Sequence, residues 1–207
     1  MKIGIMGGTF DPIHNGHLML GDYAKELFEL DQIWFMPNGN PPHKLNSKIE
    51  SQTKHRVEMV RKAIEGKDDF MLQLYEVERK DINYTYLTMK HFRESYPEDE
   101  FYFIIGADSL FAIETWRHPE LLLKTCVLLA AYRDGKNTEE MEKQIHYINE
   151  KYGADIRLLN TPNVDISSSD IRKKMKLGES IEDMVPASVY SYIQANNLFR
   201  EEEDESV

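Results

Sequence analysis

The sequence predicts an α/β protein: a Rossmann-like, doubly wound parallel sheet with helices on both faces and a short C-terminal helical segment. Two observations carry the prediction. Six short apolar or β-branched runs recur along the chain, and amphipathic helical periods lie between them. Runs spaced roughly 30 residues apart, with a helix between successive strands, require right-handed crossovers and therefore a parallel sheet.

The strand candidates are KIGIM (2–6), QIWFMP (32–37), FMLQL (70–74), FYFIIG (101–106), CVLLAA (126–131) and DIRLLN (155–160). They are apolar without clean alternation, as buried parallel strands are, rather than half-wetted. Helical periods follow from Leu20, Ala24, Leu27 and Phe28, from Val57, Val60, Ala63 and Ile64, and from Met141, Ile145, Ile148 and Tyr152. A serine-capped helix begins within ISSSDIR and carries Arg172, Lys173, Lys174 and Lys176. Pro186 suits the first turn of a last helix, whose apolar face is Val189, Tyr192 and Ile193, expected to pack on the main sheet.

The 207 residues fit one domain over 1–200, and the run EEEDE opens an acidic tail over 201–207, expected to be solvated and disordered. Hydrophobic residues at 41% argue against a disordered chain. Formal net charge is −11, of which the tail supplies five, leaving −6 and no basic footprint for nucleic acid. Any phosphate ligand has to meet positive charge locally. Cys126 is the only cysteine, so no disulfide forms within the chain and the expected compartment is the reducing cytoplasm. Neither a membrane span nor a secretory leader is legible.

The first predicted strand runs into GGTFDPIHNGHL. In open α/β sheets ligands sit beyond the carboxyl ends of strands, so this segment stands where a ligand would. Gly7 and Gly8 admit phosphate close to the backbone, and a helix starting near Gly16 or His17 offers free N–H groups at its positive end. No Lys-Ser or Lys-Thr follows at the spacing of a Walker loop, and Gly-x-Gly-x-x-Gly is not matched. A structural zinc would need four ligands, which one distant cysteine and scattered histidines do not supply. Metal binding, proton transfer, packing or capping, and anion binding are the readings open to His14 and His17.

The pattern His-x-Gly-His after Gly-Gly-Thr-Phe-Asp-Pro resembles the nucleotidyltransferase superfamily related to class I aminoacyl-tRNA synthetases, and ISSSDIR (166–172) resembles its phosphate-closing motif. PNGNPPHK (37–44), VERKDINYTYLTM (77–89) and IIGADSLFAIETWRHPELLL (104–123) narrow the resemblance to the bacterial nicotinate-nucleotide adenylyltransferases, from residue 1 to about 200. One departure is NYTYLTM, where Tyr86 replaces an acid usual in that family.

The resemblance implies that ATP and nicotinate mononucleotide give deamido-NAD and pyrophosphate. It implies His14, His17 and Arg172 as the catalytic set. ATP would meet Gly8, Thr9, Phe10, Gly106, Asp108, Ile166 and Ser168 as well, with Asp108 on the adenosine ribose. Nicotinate mononucleotide would meet Thr9, Asn38, Asn40, Lys44, Thr85, Trp116 and Arg133. Mg²⁺ is expected to arrive with ATP, held mainly by phosphate oxygens and water, with no protein metal ligand. A related phosphopantetheine or cytidylyl transferase, or a non-catalytic nucleotide sensor, are the alternatives; whether the chain is a homo-oligomer is left open. Deleting residues 201–207 is expected to leave turnover and Tm unchanged, because consecutive acids repel one another and cannot join a core. A thermal melt checks this, and a fall of several degrees would show that the tail docks.

Overall fold

In the computed structural model, residues 1–39, 49–79, 81–132, 138–162 and 165–200 are described. Six strands form one sheet: β1 (Lys2–Gly8), β2 (Gln32–Pro37), β3 (Phe70–Leu72), β4 (Glu100–Gly106), β5 (Val127–Ala131) and β6 (Ile156–Leu159). Their order is β3-β2-β1-β4-β5-β6 and every pairing is parallel. The chain winds outward in one direction from β1 and in the other from β4, so the carboxyl ends of these two central strands flank the switch point.

Successive strand residues point to opposite faces, and here both faces are buried. Met6, Ile33, Phe35, Tyr102, Ile104, Leu129 and Ala131 join one apolar cluster. Their neighbours Ile5, Trp34, Met36, Phe103, Ile105, Leu128 and Ala130 join the other. That is why the sequence runs read as continuously apolar. The first face is covered by α1 (Asn15–Phe28), α2 (Thr53–Ile64), α7 (Ser168–Lys176) and α8 (Ala187–Ala195), which contribute Ala24, Met59, Val60, Ile171, Val189 and Ile193. The second is covered by α3 (Thr85–Ser95), α4 (Ala107–Ala112), α5 (Pro119–Leu122) and α6 (Thr138–Tyr152), through Met89, Phe92, Leu110, Leu122, Met141 and Ile148. Gly21 lets α1 lie close on the sheet: a Cβ there would meet the Phe35 and Phe70 rings at 3.1 Å.

The elements agree with the sequence reading, with shifts at their ends. β3 holds three residues rather than five, as a short edge strand does. α4 and the 3-10 turn Ile113–Thr115 after it are too short to show a hydrophobic period. Pro186 is the N-cap residue of α8 rather than part of its first turn. α8 shares the first cluster but is also tied to α2, where the His55 ring pairs with the Tyr192 hydroxyl at 2.9 Å and Ser188 Oγ donates to the Lys62 carbonyl at 2.8 Å. Among the described residues no helix is long and apolar enough to cross a membrane.

Candidate functional site

Two adjoining cavities open at the switch point. Gly7, Ile104, Ile105 and Gly106, from the ends of β1 and β4, line both. The smaller, about 190 Å³, is lined further by His14, Gly16, His17, Tyr132, Thr161 and Ile166. The larger, about 500 Å³, is lined by Gly8, Asn38, Glu76, Asn83, Thr85, Asp108, Trp116 and Arg117 among others. The strand ends are thus a wall common to both cavities.

The histidines begin α1. His14, buried at 5% exposure, is the N-cap, and its backbone N–H donates to His17 Nδ1 at 3.2 Å. The two rings lie 3.7 Å apart, centroid to centroid, inclined by 31°. A ring nitrogen that accepts this bond carries no proton, so His17 in this arrangement is the neutral tautomer with its hydrogen on Nε2. The pair therefore caps its own helix and lines a cavity at the helix N-terminus, where backbone N–H groups and the dipole favour an anion. Among the described residues no group of three or more His, Cys, Asp or Glu is placed to hold a metal ion.

The loop between β1 and α1 is held from three sides. Asp11, 2% exposed, accepts from the Glu50 N–H at 2.8 Å, the Ser51 N–H at 3.5 Å and the Ser51 hydroxyl. Ser168 Oγ donates to the Pro12 carbonyl and Arg172 Nη1 to the Asp11 carbonyl, each at 2.8 Å, which joins α7 to the loop across more than 150 residues. Arg172 and Lys176 also meet Glu50 at 3.5 and 2.8 Å. Burial works to raise the Glu50 pKa, but the Lys176 hydrogen bond and the two cations leave it below the usual carboxylate value.

Arg56 supplies the third side. It is 1% exposed, and its guanidinium donates to the Thr9 carbonyl at 2.7 Å, the Asn38 carbonyl at 2.9 Å and Thr53 Oγ1 at 3.0 Å. Burial lowers its pKa and the charge of Asp11 works against that shift. In the larger cavity, burial raises the Glu76 pKa while a 2.9 Å hydrogen bond from Thr88 Oγ1 opposes it. Asn83 Nδ2 donates to the Glu76 carbonyl at 2.9 Å, and a Cβ on Gly39 would sit 2.4 Å from that same carbonyl oxygen.

The predicted residues thus divide between the cavities. His14, His17 and Ile166 line the smaller; Gly8, Asn38, Thr85, Asp108 and Trp116 line the larger; Gly106 lines both. Ser168 and Arg172 grip the loop, and the Thr9 carbonyl is held by Arg56. Phe10 is 2% exposed, with its ring in the first apolar cluster, 5.1 Å from the His17 ring. Asp108, expected on the ATP side, stands in the first turn of α4 and lines the larger cavity. Asn40, Lys44 and Arg133 lie outside the described residues. Sequence reasoning passed over Asp11, Arg56, Glu76 and Arg117. Arg56 had a signal: it stands at i with Met59, Val60 and Ala63 at i+3, i+4 and i+7, a charge on the apolar stripe of α2.

The cytidylyltransferase-like family matches residues 5–174. A nicotinate-nucleotide adenylyltransferase of Clostridium botulinum (strain Eklund 17B / Type B) is 42% identical over 97% of this chain and 99% of its own. One from Clostridium tetani is 41% identical over 96% and 99%. Plasmodium falciparum nicotinic acid mononucleotide adenylyltransferase, solved in complex with NaAD, superposes with a TM-score of 0.78 at 26% identity, covering 96% of this chain and 97% of that one. Its complex with APC gives 0.75 at 25% identity, covering 96% of each.

Arg56→Met is expected to lower stability by about 3 kcal/mol or more, since it strips donors from two half-buried loop carbonyls and a nearby cation from buried Asp11. For a chain of this length that corresponds to a Tm drop of roughly 6–12 °C. Differential scanning calorimetry checks it, and a drop under about 2 °C would show that the guanidinium is not what holds the loop.

Proposed function

The chain belongs to the cytidylyltransferase-like family and, within it, to the nicotinate-nucleotide adenylyltransferases, and we propose that the paired cavities at the switch point are where its two nucleotides meet. ATP delivers its triphosphate to the smaller cavity and nicotinate mononucleotide occupies the larger. The observation that carries this is the shared wall of Gly7, Ile104, Ile105 and Gly106, which brings an anion in one cavity beside an anion in the other. NaAD, with which the Plasmodium falciparum enzyme is complexed, is a product of the joined kind.

The reaction needs little covalent help. A phosphate monoester carries about −1.5 to −2 charge near pH 7, so its oxygen is already a nucleophile. It attacks the α-phosphorus of ATP in line, the bond from that phosphorus to the bridging oxygen breaks, and pyrophosphate leaves with the electron pair. The protein positions the two anions and stabilises charge as it spreads. His17, with Nδ1 committed to the His14 backbone, offers Nε2–H to the phosphates; His14 and the N-terminus of α1 lie beside it. Ser168 and Arg172 close on the triphosphate from α7, with Gly8, Thr9 and Ile166 shaping the approach, while Phe10 backs the His17 ring from the core. Asp108 accepts from ribose hydroxyls, and its place just beyond Gly106 supports a ribose at the shared wall. Trp116 and Thr85 take the pyridine ring, and Asn38 meets the nucleotide beside it. Mg²⁺ would accompany ATP as its counter-ion and would supply charge neutralisation at the phosphates. Residues 1–200 are the working unit.

Incubation with ATP and nicotinate mononucleotide is expected to release pyrophosphate and yield deamido-NAD by mass, and absence of that product would sink the assignment. His17→Ala is expected to cut kcat by about 10² to 10³, the usual effect of losing one preorganised donor to developing charge. A folded variant that keeps kcat within about threefold of the parent would remove His17 from the chemistry.

A further inference from the structure

One carboxylate stands where a triphosphate site calls for none. Ser168, Arg172 and Lys176 follow one another at intervals of four along α7 and so share a face of that helix. Glu50, on the segment that leads into α2, meets this face. Its Oε1 receives Lys176 Nζ at 2.8 Å and lies 3.5 Å from Arg172 Nε, so one oxygen answers two cations.

This contact is unlike the ion pair of Lys174 with Glu179, a local one whose side chains are both about half exposed. Glu50 and Lys176 are 126 residues apart, and the side chains of Glu50 and Arg172 are 22% and 19% exposed. Burial works to neutralise Glu50, yet the Lys176 hydrogen bond and the charges of Lys176 and Arg172 hold its pKa below the usual carboxylate value, so it stays an anion. Arg172 is not satisfied by it. Nη1 is spent on the Asp11 carbonyl at 2.8 Å, while Nε is buried and completes no hydrogen bond among the described residues. A buried guanidinium N–H without an acceptor is costly, and a phosphate oxygen supplies the acceptor that Glu50, at 3.5 Å, does not. Without Glu50, the like charges of Arg172 and Lys176, four apart on a helix, would repel each other. The carboxylate therefore steadies the helix face and at the same time weakens its pull on a polyphosphate.

We propose that Lys176 joins Arg172 as a polyphosphate-binding residue, and that Glu50 is an internal anion that competes with phosphate for both and limits how tightly ATP and pyrophosphate are held. The inference rests on the adenylyltransferase reading above, in which pyrophosphate is the leaving group. A bound polyphosphate takes the two cations from Glu50, and the carboxylate takes them back as pyrophosphate departs. Only ionic contacts are exchanged. The backbone N–H of Glu50, which donates to Asp11, survives substitution of the side chain by Gln, so the loop between β1 and α1 keeps that tie.

Isothermal titration calorimetry with inorganic pyrophosphate, and separately with nicotinate mononucleotide, compares the parent with Glu50→Gln, Lys176→Met and the double variant, with Tm as the control for folding. Glu50→Gln is expected to tighten pyrophosphate about five- to tenfold and to leave nicotinate mononucleotide within about twofold. Lys176→Met is expected to weaken pyrophosphate about threefold in the parent and about tenfold in the Glu50→Gln background, where the ammonium is no longer shared. In turnover, Glu50→Gln is inhibited by correspondingly less pyrophosphate, with KM for nicotinate mononucleotide unchanged. A purely structural ion pair would lower Tm in both single variants and move neither pyrophosphate constant; that result, or weaker pyrophosphate binding by Glu50→Gln, overturns the proposal. Should Glu50→Gln not fold, Lys176→Met decides alone, an unchanged pyrophosphate constant overturning the proposal. Absence of deamido-NAD from the parent would instead overturn the adenylyltransferase reading, while the pyrophosphate constants still report on Glu50 and Lys176.

Discussion

The buried carboxylate of Asp11 is the constraint on which the rest of the site depends. The segment between β1 and α1 has to cross the mouth of the sheet with its backbone available to ligands, and such a segment has no sheet or helix ladder of its own to hold it. Asp11 turns inward and takes donors from Glu50 and Ser51, which fastens the loop to the residues that lead into α2. A carboxylate so buried is tolerated only when hydrogen-bonded and near opposite charge, and Arg56 lies close enough to feel it. The same guanidinium then binds the carbonyls of Thr9 and Asn38, so the loops after β1 and β2 are set against each other through one side chain.

From the other side α7 reaches the loop through Ser168 and Arg172, and Glu50 receives Arg172 and Lys176. The groups proposed to meet triphosphate are thus hydrogen-bonded to the loop that presents the histidines. Preorganisation of this kind matters for a reaction in which the nucleophile is already charged, because catalysis then consists of holding two anions in line and meeting the charge that develops. The histidine pair shows how one arrangement serves both structure and chemistry. The bond that caps α1 is also the bond that settles which nitrogen of His17 carries hydrogen. Capping and anion binding, alternatives when only the sequence is considered, are compatible uses of one geometry.

The switch point does the remaining work. Because the crossovers run outward in opposite directions from β1 and β4, a cleft opens at their shared carboxyl end, and two cavities form against a common wall. Asp108 is a case where this matters: the chemistry of the residue suggested a ribose, but only the path of α4 assigns it to the wall of the larger cavity rather than the smaller. Phe10 is another. Its neighbours in the motif suggested a substrate contact, whereas its ring is packed in the core against His17.

Local features were legible in the sequence because they are written at short range. Two-faced apolar strands such as FYFIIG, the period of α1, the serine cap of α7 and the glycine-histidine motif at the end of β1 each declare themselves within a few residues. With the resemblance these sufficed for the fold class and for His14, His17, Thr85 and Trp116 as site candidates. What the tertiary structure alone decided is how distant segments share polar groups. Asp11 with Ser51, Arg56 with Thr9, and Arg172 with the Asp11 carbonyl are partners 40, 47 and 161 residues apart. No periodicity encodes such pairs, since a buried polar side chain is satisfied by whichever donor or acceptor the packing of the sheet and helices brings within hydrogen-bonding reach.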